Sequence, residues 1–411
     1  MLRRFSLIAA IVTALTLFVS SCSHDHGQDE TISAQNAILI FMPWSGSETS
    51  KGLYYNLQKN LSDIENAIVA DNGLGTTQVF VCLANSHTET WLYEITYGNA
   101  ACSHKPIASY NSKDCATANG ISAIINDVKK HTQAPQLSMI IGCHGSGWTS
   151  KSDWQNYPYK AKPWKNLYSG NANTTYPLTR FFGSVNDMDY AIDITTLAEG
   201  IAATDTKMQY ILFDNCYMAN IETAYELKDV TNYMIASTSE IMAIGLPYEK
   251  MWKYLAMPAP DYKSIVDAYY NFYASYDYPY GTLSAIDCTA IDALAQTMRQ
   301  INATYTFAPT LTDSLQILGG FEPTIFYDFG DYVSKLCSDE KLKLQFNSQL
   351  AKVVIYSKTT QQIYSYIYSY SGPKKITVNN FSGITTSAPS TNPVATKGLG
   401  RMKWTIDTTR Q

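Results

Sequence analysis

The stretch ILFDNCYMANIETAYEL, residues 211–227, joins a strand pattern to a helix pattern around one cysteine. Its first three residues are apolar and predict a buried strand. Asp214 and the residue after it interrupt that run, and a helical spacing of apolar residues begins at Met218. The thiol of Cys216 is therefore predicted to lie past the carboxyl end of a strand and at the start of a helix. Ligands bind at such strand ends in open α/β sheets, and a helix N-terminus lowers the pKa of a thiol.

A second stretch, LSMIIGCHGSGW at residues 137–148, has the same organisation around a histidine. An apolar run ends in a glycine-rich turn that contains His144. Glycine allows the backbone of such a turn to approach a substrate closely. If the two predicted strands are parallel neighbours, His144 and Cys216 come to the same edge of one sheet.

The rest of the chain alternates between strand and helix patterns. Predicted strands cover 37–41, 78–84, 91–97, 137–141, 211–213, 233–237, 282–286 and 363–370. Predicted helices cover 53–68, 120–131, 194–203, 265–276, 290–301, 326–336 and 342–355. This alternation predicts an α/β fold with a mostly parallel central sheet. The chain has 411 residues, 45% of them hydrophobic, which is enough for a large core.

The histidine and cysteine stretches together closely resemble the catalytic motifs of the clostripain family of cysteine peptidases, relatives of caspases, gingipains and separase. The matching segments are a strand followed by HGSGW, residues 144–148, and a strand followed by DNCYM, residues 214–218. A third segment, IASTSEIMAIGLPYEKMW at residues 235–252, is similar to the one that follows the cysteine helix in that family. The resemblance covers residues 37–288 well. It implies a caspase-like α/β/α sandwich.

The resemblance also implies a cysteine endopeptidase that works through a Cys/His dyad. Cys216 would be the nucleophile and His144 would take its proton, while the backbone N–H groups of Gly145 and Cys216 would stabilise the oxyanion. Both side chains also have a purely structural interpretation. His144 could be a structural histidine in a turn, and Cys216 could be a buried thiol at a strand end. The occurrence of both motifs in one chain favours catalysis.

Asp214, two residues before Cys216, has two interpretations that the sequence leaves open. Aspartate can cap the N-terminus of the following helix. In the family, the residue at this position lines the pocket for the basic side chain before the scissile bond, where a carboxylate pairs well with arginine or lysine. The first interpretation predicts a contribution to stability, and the second predicts cleavage after Arg or Lys.

A function of another class follows from the aromatic residues. The chain has 31 tyrosines, and strict alternation over 363–370 places those at positions 364, 366, 368 and 370 on one face of a predicted strand. An exposed face of this kind would stack on sugar rings, whereas a face packed on a helix would belong to the core. The alternative function is a surface glycan- or protein-binding lipoprotein on an inactive peptidase scaffold.

The N-terminus is organised like a bacterial secretory signal. Arg3 and Arg4 precede an apolar run over 5–19, which is too short to span a membrane as a helix. The segment VSSC, residues 19–22, resembles a lipobox, in which Cys22 is lipidated and becomes the mature N-terminus. The alternative is an ordinary signal peptide cleaved nearby. We expect a lipid-anchored protein of the bacterial cell envelope, on the outer membrane or the cell surface.

Charge and cysteine spacing limit the expected partners. Removal of residues 1–21 takes away two arginines and lowers the formal net charge from −5 to −7. An acidic mature chain argues against nucleic acid as a partner. We expect peptide or protein substrates as the partners, and a monomeric protein. No CxxC pair or His-x-x-x-His spacing predicts a metal site. We therefore expect no cofactor, and no sequence pattern decides whether calcium is required.

The expected organisation is a signal peptide at 1–21, a lipid-anchored tether at 22–36, a peptidase domain at 37–290 and a C-terminal α+β extension at 291–411 packed on it. Residues 149–183 lack any period and are rich in Tyr, Lys, Asn and Pro. A loop of this length predicts a lid or a segment that is cleaved on activation. Cys102 and Cys115 flank a polar loop and could form a disulfide in an oxidising compartment.

Overall fold

The apolar runs of the chain assemble into one large sheet in the computed structural model, which describes residues 33–45, 53–155, 188–276, 278–367 and 373–409. The strands are β1 Asn36–Met42, β2 Thr77–Ala84, β3 Glu89–Gly98, β4 Ala101–Asn111, β5 Gln136–Gly142, β6 Met208–Asp214, β7 Thr231–Ala236, β8 Thr282–Asp287, β9 Tyr327–Asp328, β10 Val354–Thr359, β11 Gln362–Ser365, β12 Lys374–Thr377 and β13 Thr385–Thr386.

Nine of these strands form the central sheet, in the order β10-β8-β7-β6-β5-β1-β2-β3-β4. The five strands from β7 to β2 are parallel to one another, and an antiparallel pair continues the sheet at each end. All seven residues of β1 are buried. Central parallel strands are covered on both faces, which is why they appear in the sequence as continuous apolar runs.

The helices connect these strands and pack on the sheet. They are α1 Tyr54–Ala70, α2 Ala118–His131, α3 Lys151–Gln155, α4 Ile194–Ala202, α5 Ile221–Leu227, α6 Tyr248–Leu255, α7 Tyr262–Ala274, α8 Ile291–Thr304, α9 Phe329–Leu336, α10 Glu340–Val353, α11 Pro393–Gly398 and α12 Lys403–Thr409. One group of neighbours is α1, α6 and α7, and another is α2, α4 and α5. Helices therefore cover both sides of a mostly parallel sheet, and the predicted α/β/α architecture is confirmed.

Two predicted helices differ from the structure, and one edge strand was not predicted. The helix expected at 326–336 begins with the short strand β9, because the Asp328 side chain accepts a hydrogen bond from the N–H of Asp331 at 2.9 Å and caps α9. The helix expected at 342–355 ends at Val353, and the chain continues as β10 beside β8. No sequence pattern predicted β4, an edge strand that is mostly exposed.

The tyrosine-rich segment forms only a short strand over its described part. β11 covers Gln362–Ser365, and the half-buried ring of Tyr364 lies 5.9 Å from the ring of Tyr280. Positions 368 and 370 are outside the described residues. The sugar-stacking surface therefore stays a prediction.

Several predictions concern parts of the chain that the structure does not describe. The signal sequence, the lipidation site Cys22, most of the 22–36 tether and residues 156–183 of the predicted lid all lie outside the described ranges. From Ala34 onward the chain forms one compact unit, and the domain boundary at residue 290 stays a prediction. Among the described helices, none combines the length and the apolar character needed to cross a membrane.

Candidate active site

The histidine and the cysteine follow two neighbouring parallel strands. β5 pairs with β6 in a register that places Gly142 opposite Asp214. His144 and Cys216 each come two residues after their strand ends, so both loops start from the same edge of the sheet. The loops touch at Gly145, where a Cβ atom would lie only 2.3 Å from the carbonyl oxygen of Cys216 and 2.7 Å from its backbone nitrogen. Only glycine permits this approach of the two backbones.

The histidine turn is fixed from two sides. The His144 side chain is buried, and its ring lies 5.0 Å from the ring of Trp44, which follows β1. The side-chain amide of Asn215 donates hydrogen bonds to the carbonyl oxygens of Cys143 at 2.8 Å and His144 at 3.0 Å. The residue next to the cysteine therefore holds the turn that carries the histidine.

The sulfur of Cys216 has a backbone hydrogen-bond donor. The side chain is 0% exposed, and the N–H of Ile241 donates to Sγ over 3.2 Å. A donor directed at the sulfur favours the thiolate over the thiol, and the thiolate is the nucleophilic form. Ile241 belongs to the third segment of the family resemblance, but the sequence did not predict this contact.

The helix after Cys216 begins later than predicted. α5 starts at Ile221, and its cap is Asn220, whose side chain accepts a hydrogen bond from the N–H of Thr223 at 2.9 Å. Residues 215–219 form a loop in which Tyr217 has a φ of +60°, in the left-handed region. The prediction that Cys216 stands at a helix start is therefore wrong, and the Ile241 N–H, which belongs to another segment, is a donor that the structure places at the sulfur.

Asp214 is the last residue of β6 and is 0% exposed. One of its carboxylate oxygens accepts a hydrogen bond from the hydroxyl of Tyr248 at 3.1 Å. Burial raises the pKa of the Tyr269 hydroxyl, and the charges of Asp214 and Cys216 raise it further, so Tyr269 also lies near both residues. Since Asn220 caps the helix, the interpretation of Asp214 as the helix cap is wrong.

Residues 237–241 run along the cysteine loop. The backbone N–H of Tyr217 donates to the carbonyl oxygen of Ser239 at 2.9 Å, and that of Ala219 donates to Ser237 at 2.9 Å. The third segment of the family resemblance, residues 235–252, therefore supports the cysteine loop through backbone hydrogen bonds.

A C-terminal segment, residues 385–387, connects the two loops and is called the strap below. The N–H of Thr385 donates to the carbonyl oxygen of Ala219 in the cysteine loop at 3.0 Å. The hydroxyl of Ser387 accepts a hydrogen bond from the indole N–H of Trp148, in the histidine stretch, at 2.9 Å. No sequence pattern indicated this segment, because it lies more than 160 residues from each partner.

The strap also covers a buried carboxylate on α5. Glu222 is 1% exposed, and one of its oxygens accepts hydrogen bonds from the N–H of Ser387 and the hydroxyl of Thr386, both at 2.9 Å. Burial raises the pKa of Glu222 to about 7, although these two donors act in the opposite direction. The apolar spacing that begins at Met218 predicts Glu222 on the outer face of the helix, and this prediction is wrong because the strap covers that position.

The described cysteines are all free thiols. Cys102 approaches the carbonyl oxygen of Glu65, whereas Cys115 donates to the carbonyl oxygen of Asn111 and neighbours Cys82. The disulfide considered between Cys102 and Cys115 is therefore absent. Within the described ranges, no group of three or more His, Cys, Asp or Glu side chains is arranged to hold a metal ion.

Comparison with known proteins gives matches over most of the chain. The model of the clostripain family, peptidase family C11, matches residues 47–385. The structure of iotapain, a secreted C11 cysteine protease from Bacteroides thetaiotaomicron, is 40% identical, with a TM-score of 0.79 over 92% of this chain and 99% of that one. Among curated proteins, none matches.

Two further solved structures are similar. A clostripain from Bacteroides thetaiotaomicron ATCC 29148, in complex with the peptide inhibitor BTN-VLTK-AOMK, is 49% identical, with a TM-score of 0.53 over 56% of this chain and 99% of that one. An inactive zymogen C11 protease from Parabacteroides distasonis is 25% identical, with a TM-score of 0.74 over 92% of this chain and 99% of that one. The chain therefore belongs to the clostripain family of cysteine peptidases, hydrolases that act on peptide substrates.

Proposed function

We propose that this peptidase is an endopeptidase in which Cys216 is the nucleophile and His144 is the general base. The observation that carries the proposal is the contact of the two loops at Gly145, at the carboxyl edge of β5 and β6. The Ile241 N–H directed at Sγ adds support, because it favours the reactive thiolate.

The chemistry follows from these positions. Sγ of Cys216 attacks the carbonyl carbon of the scissile bond, and the thiol proton passes to His144. The backbone N–H groups of Gly145 and Cys216 stabilise the tetrahedral oxyanion. His144 then protonates the leaving amine as the C–N bond breaks, which leaves a thioester. A water molecule that transfers its proton to His144 hydrolyses the thioester and releases the acid and the thiol.

Substrate access requires a conformational change. Cys216 is 0% exposed and His144 is 3% exposed, so a peptide reaches the sulfur only after the residues that cover it move. One relative is described as an inactive zymogen. These observations support the proposal that residues 149–183 act as a lid or are cleaved on activation.

We propose further that Asp214 selects a basic residue before the scissile bond. Its carboxylate is buried beside the nucleophile and is hydrogen-bonded by Tyr248. A buried carboxylate is stabilised when it pairs with the positive charge of an arginine or lysine side chain. The 49% identical relative binds an inhibitor whose peptide part, VLTK, ends in lysine, which is consistent with this preference.

The specificity proposal is tested with Asp214→Asn and paired substrates that differ only in arginine or its neutral isostere citrulline. The variant should lose about 2–5 kcal/mol of transition-state binding for arginine and little for citrulline. Equal losses for both substrates would leave the nucleophile assignment intact and refute the selection by Asp214.

The catalytic proposal is tested by Cys216→Ala and His144→Ala. The first should abolish turnover, and the second should lower kcat by roughly 10²–10⁴-fold, because general acid–base help is lost. Cys288→Ala is the matched control, since this buried thiol follows β8 at the opposite edge of the sheet and should leave activity unchanged. Peptidase activity retained in a pure sample of Cys216→Ala would refute the mechanism.

We also propose that the mature protein is a monomer anchored by a lipid on Cys22 in the cell envelope. The lipobox at residues 19–22 supports this location, as does the description of the 40% identical relative as secreted.

A further inference from the structure

A second buried glutamate, Glu240, lies next to the residue that contacts the nucleophile. Its side chain is 1% exposed. It immediately precedes Ile241, whose N–H donates to Sγ of Cys216 over 3.2 Å. None of the steps proposed above uses this carboxylate, yet one peptide unit separates it from the donor to the thiol.

Hydrogen bonds from three parts of the chain converge on Glu240. The hydroxyl of Tyr217 donates to Oε1 at 2.6 Å, and the backbone N–H of Tyr366 donates to both carboxylate oxygens at 3.1 Å each. The hydroxyl of Ser365 donates to Oε1 as well. The hydroxyl of Tyr280 donates to the backbone carbonyl oxygen at 2.6 Å. Hydrogen bonds to a carboxylate are stronger than neutral ones, so this cluster fixes both the side chain and the backbone of Glu240.

Tyr217 is the residue that directly follows the nucleophile, and its backbone is unusual. A φ of +60° is rare for a residue with a large side chain and persists only where its surroundings hold it. The ring of Tyr217 stacks on Phe326 at 5.1 Å, and its hydroxyl is bound by Glu240. Burial and the charge of Glu240 raise the pKa of Tyr217, so this hydroxyl stays protonated and able to donate.

We propose that Glu240 is a positioning residue for Cys216, held in place by Ser365 and Tyr366 of the C-terminal part of the chain. It fixes Tyr217 on one side of the nucleophile and the Ile241 N–H on the other. The inference rests on the proposed function, because it takes Cys216 as the nucleophile. It follows that residues 365–366 support the active site through their hydrogen bonds to Glu240.

The test uses the full-length enzyme with Glu240→Gln, Glu240→Ala and Ser365→Ala. Glutamine keeps an oxygen that accepts from Tyr217 and Tyr366 but removes the charge, whereas alanine removes both. Ser365→Ala deletes one donor and leaves the carboxylate its other hydrogen bonds, so it tests the proposal even if a Glu240 variant fails to fold. Glu199→Gln, on an exposed position of α4, controls for the loss of one carboxylate.

Three experiments are carried out on each variant: steady-state kinetics, which give KM and the kcat per titrated active site; thermal unfolding; and the pH profile of alkylation of Cys216 by iodoacetamide. We expect kcat to fall on the order of 10²-fold in Glu240→Ala and less in Glu240→Gln and Ser365→Ala, with KM little changed, because the nucleophile is misplaced while substrate contacts remain. The midpoint of the alkylation profile should move to higher pH, since the Ile241 N–H is no longer held at the sulfur.

A purely structural role for Glu240 would leave the kinetics per active site and the alkylation profile of the folded variants equal to wild type, and that result overturns the proposal. The failure of the proposed function looks different. If Cys216→Ala keeps activity, or iodoacetamide inactivates the wild-type enzyme without labelling Cys216, then the nucleophile assignment itself is wrong. An inactive Cys216→Ala with normal Glu240 and Ser365 variants refutes only the positioning role.

Discussion

Replacement of Glu222 by glutamine should change how the stability of this peptidase depends on pH. The side chain is 1% exposed, and burial raises its pKa from 4.5 to about 7 in the folded chain. Between these two values the folded state binds the proton and the unfolded state has lost it. The free energy of unfolding therefore decreases as the pH rises through this window, and the contribution of protonated Glu222 is lost above about pH 7.

The size of the effect follows from the width of the window. One pKa unit corresponds to about 1.36 kcal/mol, so the shift from 4.5 to about 7 corresponds to about 3 kcal/mol. Glutamine does not titrate, and its oxygen still accepts from the N–H of Ser387 and the hydroxyl of Thr386. The packing and hydrogen bonding of the glutamine add a term to the difference in unfolding free energy that does not depend on pH. As the pH rises through this window, the difference in unfolding free energy between Glu222→Gln and wild type should therefore change by about 3 kcal/mol in favour of the variant.

Denaturant unfolding of both proteins from about pH 4 to about pH 8 measures this difference. Most of the change should fall between about pH 4.5 and pH 7. Glu199→Gln serves as the control, because it removes a carboxylate from an exposed helical position. A stability difference between Glu222→Gln and wild type that stays constant across the range would refute the reasoning, whatever the sign of that constant.

Four other predictions concern the loops and the N-terminus. Gly145→Ala should cost about 1–3 kcal/mol of unfolding free energy and on the order of 10²-fold in kcat, because its Cβ would overlap the Cys216 backbone. Its control is Gly98→Ala, which has open space around the added Cβ and should change neither the unfolding free energy nor kcat. Ser387→Ala should cost about 1–3 kcal/mol in a denaturation curve, since it leaves the buried indole N–H of the histidine stretch without its acceptor. Cys22→Ser should release the protein from the membrane fraction or leave its signal uncleaved, and wild-type fractionation and migration would contradict lipidation. Intact-mass measurement of active enzyme should show a cut within 149–183, and a single uncut chain with full activity would contradict activation by cleavage there.

The fold and the position of the site were predictable because both depend on local patterns. Central parallel strands are buried on both faces, so β1, β5 and β6 appear as continuous apolar runs, and their ends locate the edge of the sheet. β4 carried no such signal, because an exposed edge strand with Pro106 in it neither alternates nor forms an apolar run. Local patterns thus identify the buried centre of a sheet better than its edges.

The start of α5 shows where spacing alone fails. Apolar residues at helical intervals begin at Met218, but Tyr217 has a positive φ and Asn220 supplies the cap, so the helix starts at Ile221. The contacts that support Cys216 were beyond prediction for another reason. The side-chain contacts of Ile241, Glu240 and the strap join segments that are 23 to 239 residues apart, and no periodicity relates residues at such distances.

The strap also determines when the site can be completed during synthesis. Trp148 is made 239 residues before its partner Ser387. At about 5–20 residues per second, this separation corresponds to roughly ten to fifty seconds of translation. Throughout that interval the histidine stretch and the cysteine loop lack the segment that joins them. The contact between the histidine stretch and the cysteine loop through the strap can therefore form only after residue 387 has been synthesised.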